Sequence, residues 1–138
     1  MDLKTLLQKG ALVTGEMVQK GVEWVHEDLE SGEEITDQFV VHILKRMSFG
    51  AFDRVYGNAG SLDKSKAATL ISEVVRFGED GKEKLSVEQA HELHPGLAMV
   101  LVNAAHKVYE ETKAERDAKK GADSGNSAQP TKSGASLS

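Results

Sequence analysis

Five histidines, at positions 26, 42, 91, 94 and 106, are the residues of this chain best suited to metal or proton chemistry. His91 and His94 are three apart, close enough to share one helix face. A zinc protease needs His-Glu-x-x-His, and His91-Glu92-Leu93-His94 is one residue short of it. Pro95 follows at once and breaks any helix running through the pair. Capping and surface roles therefore fit these two better than a metal role. His26 and His42 fall in two candidate strands and could face each other across a hairpin; without a carboxylate set they read as structural. Glu79-Asp80-Gly81 has the flavour of a calcium loop. With Gly81 in the required sixth position, positions one, three and twelve are Arg76, Gly78 and Val87, and none supplies a carboxylate. Asp80-Gly81 is a turn instead. No dinucleotide-binding, phosphate-loop or nucleophile-elbow glycine motif is present. The acidic pairs Glu33-Glu34 and Glu110-Glu111 lie in charged stretches, without the apolar surroundings that separate an acid from a base. The expectation is a protein that is not an enzyme, with no catalytic residues, no metal ligands and no cofactor.

A binding protein needs an apolar face, and Leu85 to Ala118 supplies the best candidate. Ser86 and Gln89 form a capping box that opens a short helix through Val87, Ala90 and Leu93. His94 precedes a proline and is pushed out of the helical region. Pro95 suits the first position of a second, longer helix. In that helix Leu97, Leu101, Ala104, Ala105 and Val108 form one apolar stripe, and Met99, Val102 and Tyr109 form a second beside it. A surface helix needs only one stripe. Over 97–105 the helix is apolar on more than half its circumference. It is either the central core helix or is buried against a second surface, a partner or another copy of the chain in a homo-oligomer. Leu97, Met99, Leu101, Val102 and Tyr109 are the candidate protein-binding residues.

The elements that must position this helix are legible in outline. Residues 2–9 make one or two helical turns with Leu3, Leu6 and Leu7 on one side, docking on the chain's own core or on a partner, the core being preferred. Residues 21–27 alternate Val22, Trp24 and His26 against Glu23, Val25 and Glu27, the period of a strand. Residues 38–47 are rich in strand formers, with Phe39, Val41 and Ile43 on one face and Val40, His42 and Leu44 on the other. A helix over 36–46 is the competing reading. The two strands pair most simply as an antiparallel hairpin around a charged connector with a turn at Ser31-Gly32, and such a hairpin needs helices or further strands to cover it. Ser48 caps a helix carrying Phe49, Phe52, Val55 and Tyr56, closed by Gly57. Ser61 caps the next, in which Ala67, Leu70, Ile71, Val74 and Phe77 recur at helical spacing up to Gly78.

The whole is an α+β fold: an N-terminal β-hairpin followed by a mainly helical domain of three to four helices. Residues 1–118 form a single domain and 119–138, made of Gly, Ser, Ala and other small or polar residues, form a disordered tail. The chain is long enough for one core. Its net charge of −5 and lack of a basic face argue against a nucleic-acid partner. With no Cys, disulfides, thiolate metal sites and Cys nucleophiles are excluded. The N-terminus lacks the apolar region of a signal peptide, and the longest apolar run, 97–102, is far short of the ~20 residues of a membrane helix. The expected setting is soluble and intracellular.

The order of these features resembles the tail assembly chaperones of long-tailed bacteriophages. The residues that carry the likeness are the Trp-containing strand 21–27, the strand at 38–47 and the helix Ala67-Ala68-Thr69-Leu70-Ile71-Ser72-Glu73-Val74-Val75. The turn Glu79-Asp80-Gly81-Lys82 follows, then Leu85-Ser86-x-Glu88-Gln89-Ala90 and Leu93-His94-Pro95-Gly96-Leu97-Ala98. The likeness covers roughly residues 11–111 and is one of order and flavour, since the family has no catalytic signature. It implies a small, largely helical late protein of the host cytoplasm, absent from the finished virion. It implies that the protein binds the tape measure protein, keeps its apolar helices soluble and helps recruit tail tube subunits. It also implies a longer form made by ribosomal frameshifting, for which codons at Lys119-Lys120 could provide the slippery run; residues 121–138 would then be the in-frame end of the short form. Two other readings stand beside it: a structural virion component, such as a minor tail or connector protein, and a cellular adaptor module.

Overall fold

The computed structural model describes residues 1–57 and 65–124, with side chains described to residue 119. In chain order the elements are α1 (Leu3–Gln8), β1 (Met17–Glu27), β2 (Glu34–Leu44), α2 (Phe49–Tyr56), α3 (Lys66–Val74), β3 (Val75–Arg76), α4 (Val87–His91) and α5 (Pro95–Ser124). The α+β class holds, with the sheet in the order β1-β2-β3 and every pairing antiparallel.

The hairpin forms where alternation predicted it, and it is longer than the alternating segments alone. Met17 pairs with Leu44 at one end and Glu27 with Glu34 at the other, around Gly32 at φ +74°. The helix reading of 36–46 is excluded by this pairing. Ladder hydrogen bonds carry β1 back through Met17–Lys20 and β2 back through Glu34–Asp37, where Ile35 and Thr36 also favour a strand. Val22, Phe39, Val41 and Ile43 point to the helical side, where Val41 and Ile43 are fully buried. His26 and His42 do not meet: His26 pairs with Ile35 and His42 with Gln19, at opposite ends of the ladder.

Both ends of α3 also differ from expectation. The helix expected to reach Gly78 stops at Val74, because Val75 and Arg76 turn extended and pair with Ile43 and His42. The competing demand is the free edge of β2, whose unpaired N–H and C=O groups are costly to bury, and the β-branched Val75 accepts the extended backbone readily. The N-cap of α3 is Ser65, whose hydroxyl accepts from the Ala68 N–H at 2.9 Å. Ser61, expected in that role, lies outside the described residues, as does the loop from Asn58.

Beyond β3 the chain closes a small loop. Phe77 and Glu83 exchange backbone hydrogen bonds of 2.7 and 3.1 Å, and Gly78 and Gly81 both hold positive φ. The loop lies over His42 on the sheet face opposite the core, and this cover is what buries that imidazole. The capping box at Ser86 and Gln89 forms as expected, with bonds of 3.1 and 2.9 Å. α3 packs against both α2 and α4, and one core cluster gathers Val41, Ile43, Val55, Leu70, Ile71, Val74, Val75, Leu101, Ala105 and Val108 with their neighbours.

By compactness the chain divides into Met1–Val108 and the segment that starts at Tyr109. The second holds the rest of α5, whose residues 113–119 are all exposed. This agrees with a charged helical extension lacking an apolar face. The helix continues to Ser124, and the expected disordered tail falls, from residue 125 on, outside the described residues.

Candidate functional site

The five residues expected to bind a partner are sorted by α5 into different environments. Leu101 is 0% exposed and Val102 is buried beside it, both within the core cluster. Leu97 is half-buried and packs on the same cluster. Met99 is 55% exposed, and Tyr109, at the start of the second unit, is exposed as well. The second apolar stripe is therefore split. Val102 belongs to the core because the core reaches wider around α5 than a single stripe, taking Leu101, Val102, Ala105 and Val108 together. Of the five, Met99 is the exposed residue within the Met1–Val108 unit.

His94 positions α5. Its Nδ1 accepts from the Gly96 N–H at 3.1 Å, and its carbonyl accepts from the Ala98 N–H at 2.9 Å, so it caps the helix that Pro95 begins. The rings of His94 and Trp24 approach edge to face at 6.0 Å, and His26 stacks on Trp24 at 3.7 Å. His26 Nε2 lies 2.6 Å from Asp37 Oδ2. This aromatic group joins the turn end of the hairpin to the start of α5. Among the described residues, no three His, Asp or Glu gather as a metal site requires.

Two further apolar faces are exposed, of which only the one on α1 was named from the sequence, as docking on the core or on a partner. On α2, Ala51 and Val55 face the core, and Phe49, Phe52 and Tyr56 share the other side at i, i+3 and i+7. Phe49 is 82% exposed, and the Phe52 and Tyr56 rings are in contact at 5.0 Å. The signal was present in the spacing, since one short helix carries small apolar residues on one side and large ones on the other. α1 is the second face. Leu3, Leu6 and Leu7 are all exposed and the helix buries no residue, so it does not dock on the chain's own core as expected. Leu12 and Val13, just beyond it, are exposed too.

Charges fix the α2 face in place. Arg54 donates to Glu73 of α3 through Nε at 2.6 Å and Nη2 at 3.0 Å, a bidentate pair. The hydrogen bonds from Arg54 hold the Glu73 carboxyl below the usual carboxylate range, against the opposing effect of burial, and the same pair raises Arg54. Desolvation acts the other way on Arg76, lowering it, and its Nη1 donates to the carbonyls of Ser72 and Val75.

Exposed apolar side chains stand on α2 and α5, which the packed core backs, and on α1, which buries no residue. No described helix is long and apolar enough to cross a membrane. A family model described as phage tail assembly chaperone, TAC, matches residues 4–109. No curated protein and no solved structure matches the chain.

Proposed function

The chain belongs to the phage tail assembly chaperone family, and from that premise we propose that it binds the tape measure protein, keeps its apolar helices from aggregating and helps recruit tail tube subunits. The observation that carries the reading is the family match across 4–109, which spans α1 but for Leu3, every element from β1 to α4, and the core-facing part of α5. The exposed apolar side chains support it, because a client with amphipathic helices is recognised by laying its apolar face on another apolar face. A holdase of this kind has no use for a reacting group, and the proposed role is non-catalytic.

The proposed client contact on α5 is Met99; Leu97, two residues earlier, faces away from it and packs on the core cluster. Leu101 and Val102 support it from within the core and do not touch the client. Met99 suits the task, since its flexible thioether fits varied apolar partners. Tyr109 is proposed separately as a contact of the second unit. The protein works in the host cytoplasm, leaves before the virion is complete, and has a longer form made by frameshifting near Lys119-Lys120.

Co-expression with the tape measure protein tests the central part of this. A tape measure that is insoluble alone becomes soluble and co-purifies with the chain. Detection of the chain in purified virions would instead assign it to the particle as a structural component.

A further inference from the structure

β1 ends the sheet order β1-β2-β3, so one side of this 11-residue strand is a sheet edge. Its pairing with β2 runs in unbroken register from Met17 to Glu27, with no proline and no bulge to blunt that edge. The phase of the ladder fixes which groups face outward. At the two ends of β1, the Lys45 N–H donates to the Glu16 carbonyl at 3.0 Å and the Asp28 N–H donates to the Glu33 carbonyl at 2.8 Å, continuing the same register. Even-numbered residues of β1 therefore bond to β2, and odd-numbered ones turn their N–H and C=O away from it. These are Met17, Gln19, Gly21, Glu23, Val25 and Glu27, and all are exposed. Among the described residues, no other segment makes a backbone hydrogen bond to them.

Gly21 stands in the middle of this edge. Its φ is not positive, and a Cβ there would meet nothing within 4 Å, so the fold itself does not require glycine. Glycine weakens a strand interior and is favoured where another backbone comes close. The side chains beside the edge are sorted by charge. The odd, outer face of β1 carries Glu23 and Glu27 and no Lys or Arg, with the exposed Val25 between them. The even, core-side face carries Lys20 and His26 and no acid. Two copies of β1 laid edge to edge would gather only acids on one face and only bases on the other, so the edge is ill suited to its own kind.

We propose that the β1 edge is a docking site for an extended segment of another protein, with Lys or Arg on its outer side and apolar residues on its core side. The outward groups dictate an extended backbone, because an added strand presents N–H and C=O groups at the spacing of these. Glu23 and Glu27 ask for two basic residues four apart, and Val22 and Trp24 on the other face ask for apolar residues between them. The site is on a different element from Met99 and takes a strand where the proposed client contact takes a helix, so either can fail without the other.

The test uses the full chain and a fluorescent peptide, Thr-Val-Lys-Val-Thr-Val-Lys-Val-Thr, whose side-chain pattern is the same in either direction. Fluorescence anisotropy shows binding that weakens with salt, and the peptide with Glu in place of both Lys does not bind. In Glu23→Pro the missing N–H is one that faces the free edge, so no bond to β2 is lost. Its far-UV circular dichroism stays at wild type, while affinity for the peptide falls about tenfold or more. Amide hydrogen exchange on the wild type decides the matter even if Glu23→Pro fails to fold. The amides of Gly21, Glu23 and Val25 exchange quickly in the free chain and slowly with peptide bound. No binding, binding that a folded Glu23→Pro leaves unchanged, or outward amides that stay fast with peptide bound would each overturn the proposal. So would outward amides already slow in the free chain, since a strand of the protein itself would then hold the edge.

Discussion

Gly81 and Met99 show how one side chain decides a local outcome. Gly81 sits at φ +70° over His42, and a Cβ there would come within 2.8 Å of the imidazole Cγ. Gly81→Ala therefore meets both backbone strain and a clash, and costs about 1–3 kcal/mol, read as a lower urea midpoint. Met99→Asp is expected to behave in the opposite way. Its side chain is exposed, so far-UV circular dichroism and the urea midpoint stay at wild type while tape measure binding is lost. Leu101→Ala, two residues on, removes a side chain with no exposure and costs about 2–5 kcal/mol. A Met99→Asp variant that unfolds would place Met99 in the core and remove the proposed contact. The sequence could not separate these neighbours. Leu101, Val102 and Met99 are all apolar at helical spacing, and only the width of the core facing α5 distinguishes them.

At the scale of elements, local signals and tertiary demands contribute unequally. Both hairpin strands, the Ser48 and Ser86 caps and the Pro95 start were legible because each rests on residues close in sequence. The end of α3 was not legible, because it is set by the β2 edge more than thirty residues away, where Ile43 takes Val75 as its partner. The fate of α1 was equally hidden: three leucines on one side state that a face must be covered, never by what. The α2–α3 contact gives a pH prediction. Glu73 is held below its ordinary carboxylate pKa, first by hydrogen bonds from Arg54, so the native state binds fewer protons than the unfolded chain as pH falls. Its contribution is complete above the usual glutamate pKa of about 4.3 and is lost as pH drops through the lower folded value. Glu73→Gln is therefore expected to have a lower denaturation midpoint than wild type at neutral pH. The difference shrinks on acidification below about pH 4.3, and salt reduces it as well, since the Arg54 side chain is largely exposed. An equal difference at pH 7 and in strong acid would mean that the pair does not act through charge.

At the scale of the molecule, a small acidic chain presents apolar side chains on α1, α2 and α5 and belongs to the phage tail assembly chaperone family. The likeness was readable in the sequence as an order of elements, with no single diagnostic residue, and the match over 4–109 covers that order almost entirely. The surfaces were less readable, because exposure depends on which side of each helix the core selects. Co-expression with the tape measure protein, followed by a solubility assay and pull-down, tests the central claim most directly. The account predicts a tape measure that is insoluble alone, soluble in the presence of this chain, and retained with it through purification. A tape measure that stays insoluble, with nothing co-purifying, would contradict it.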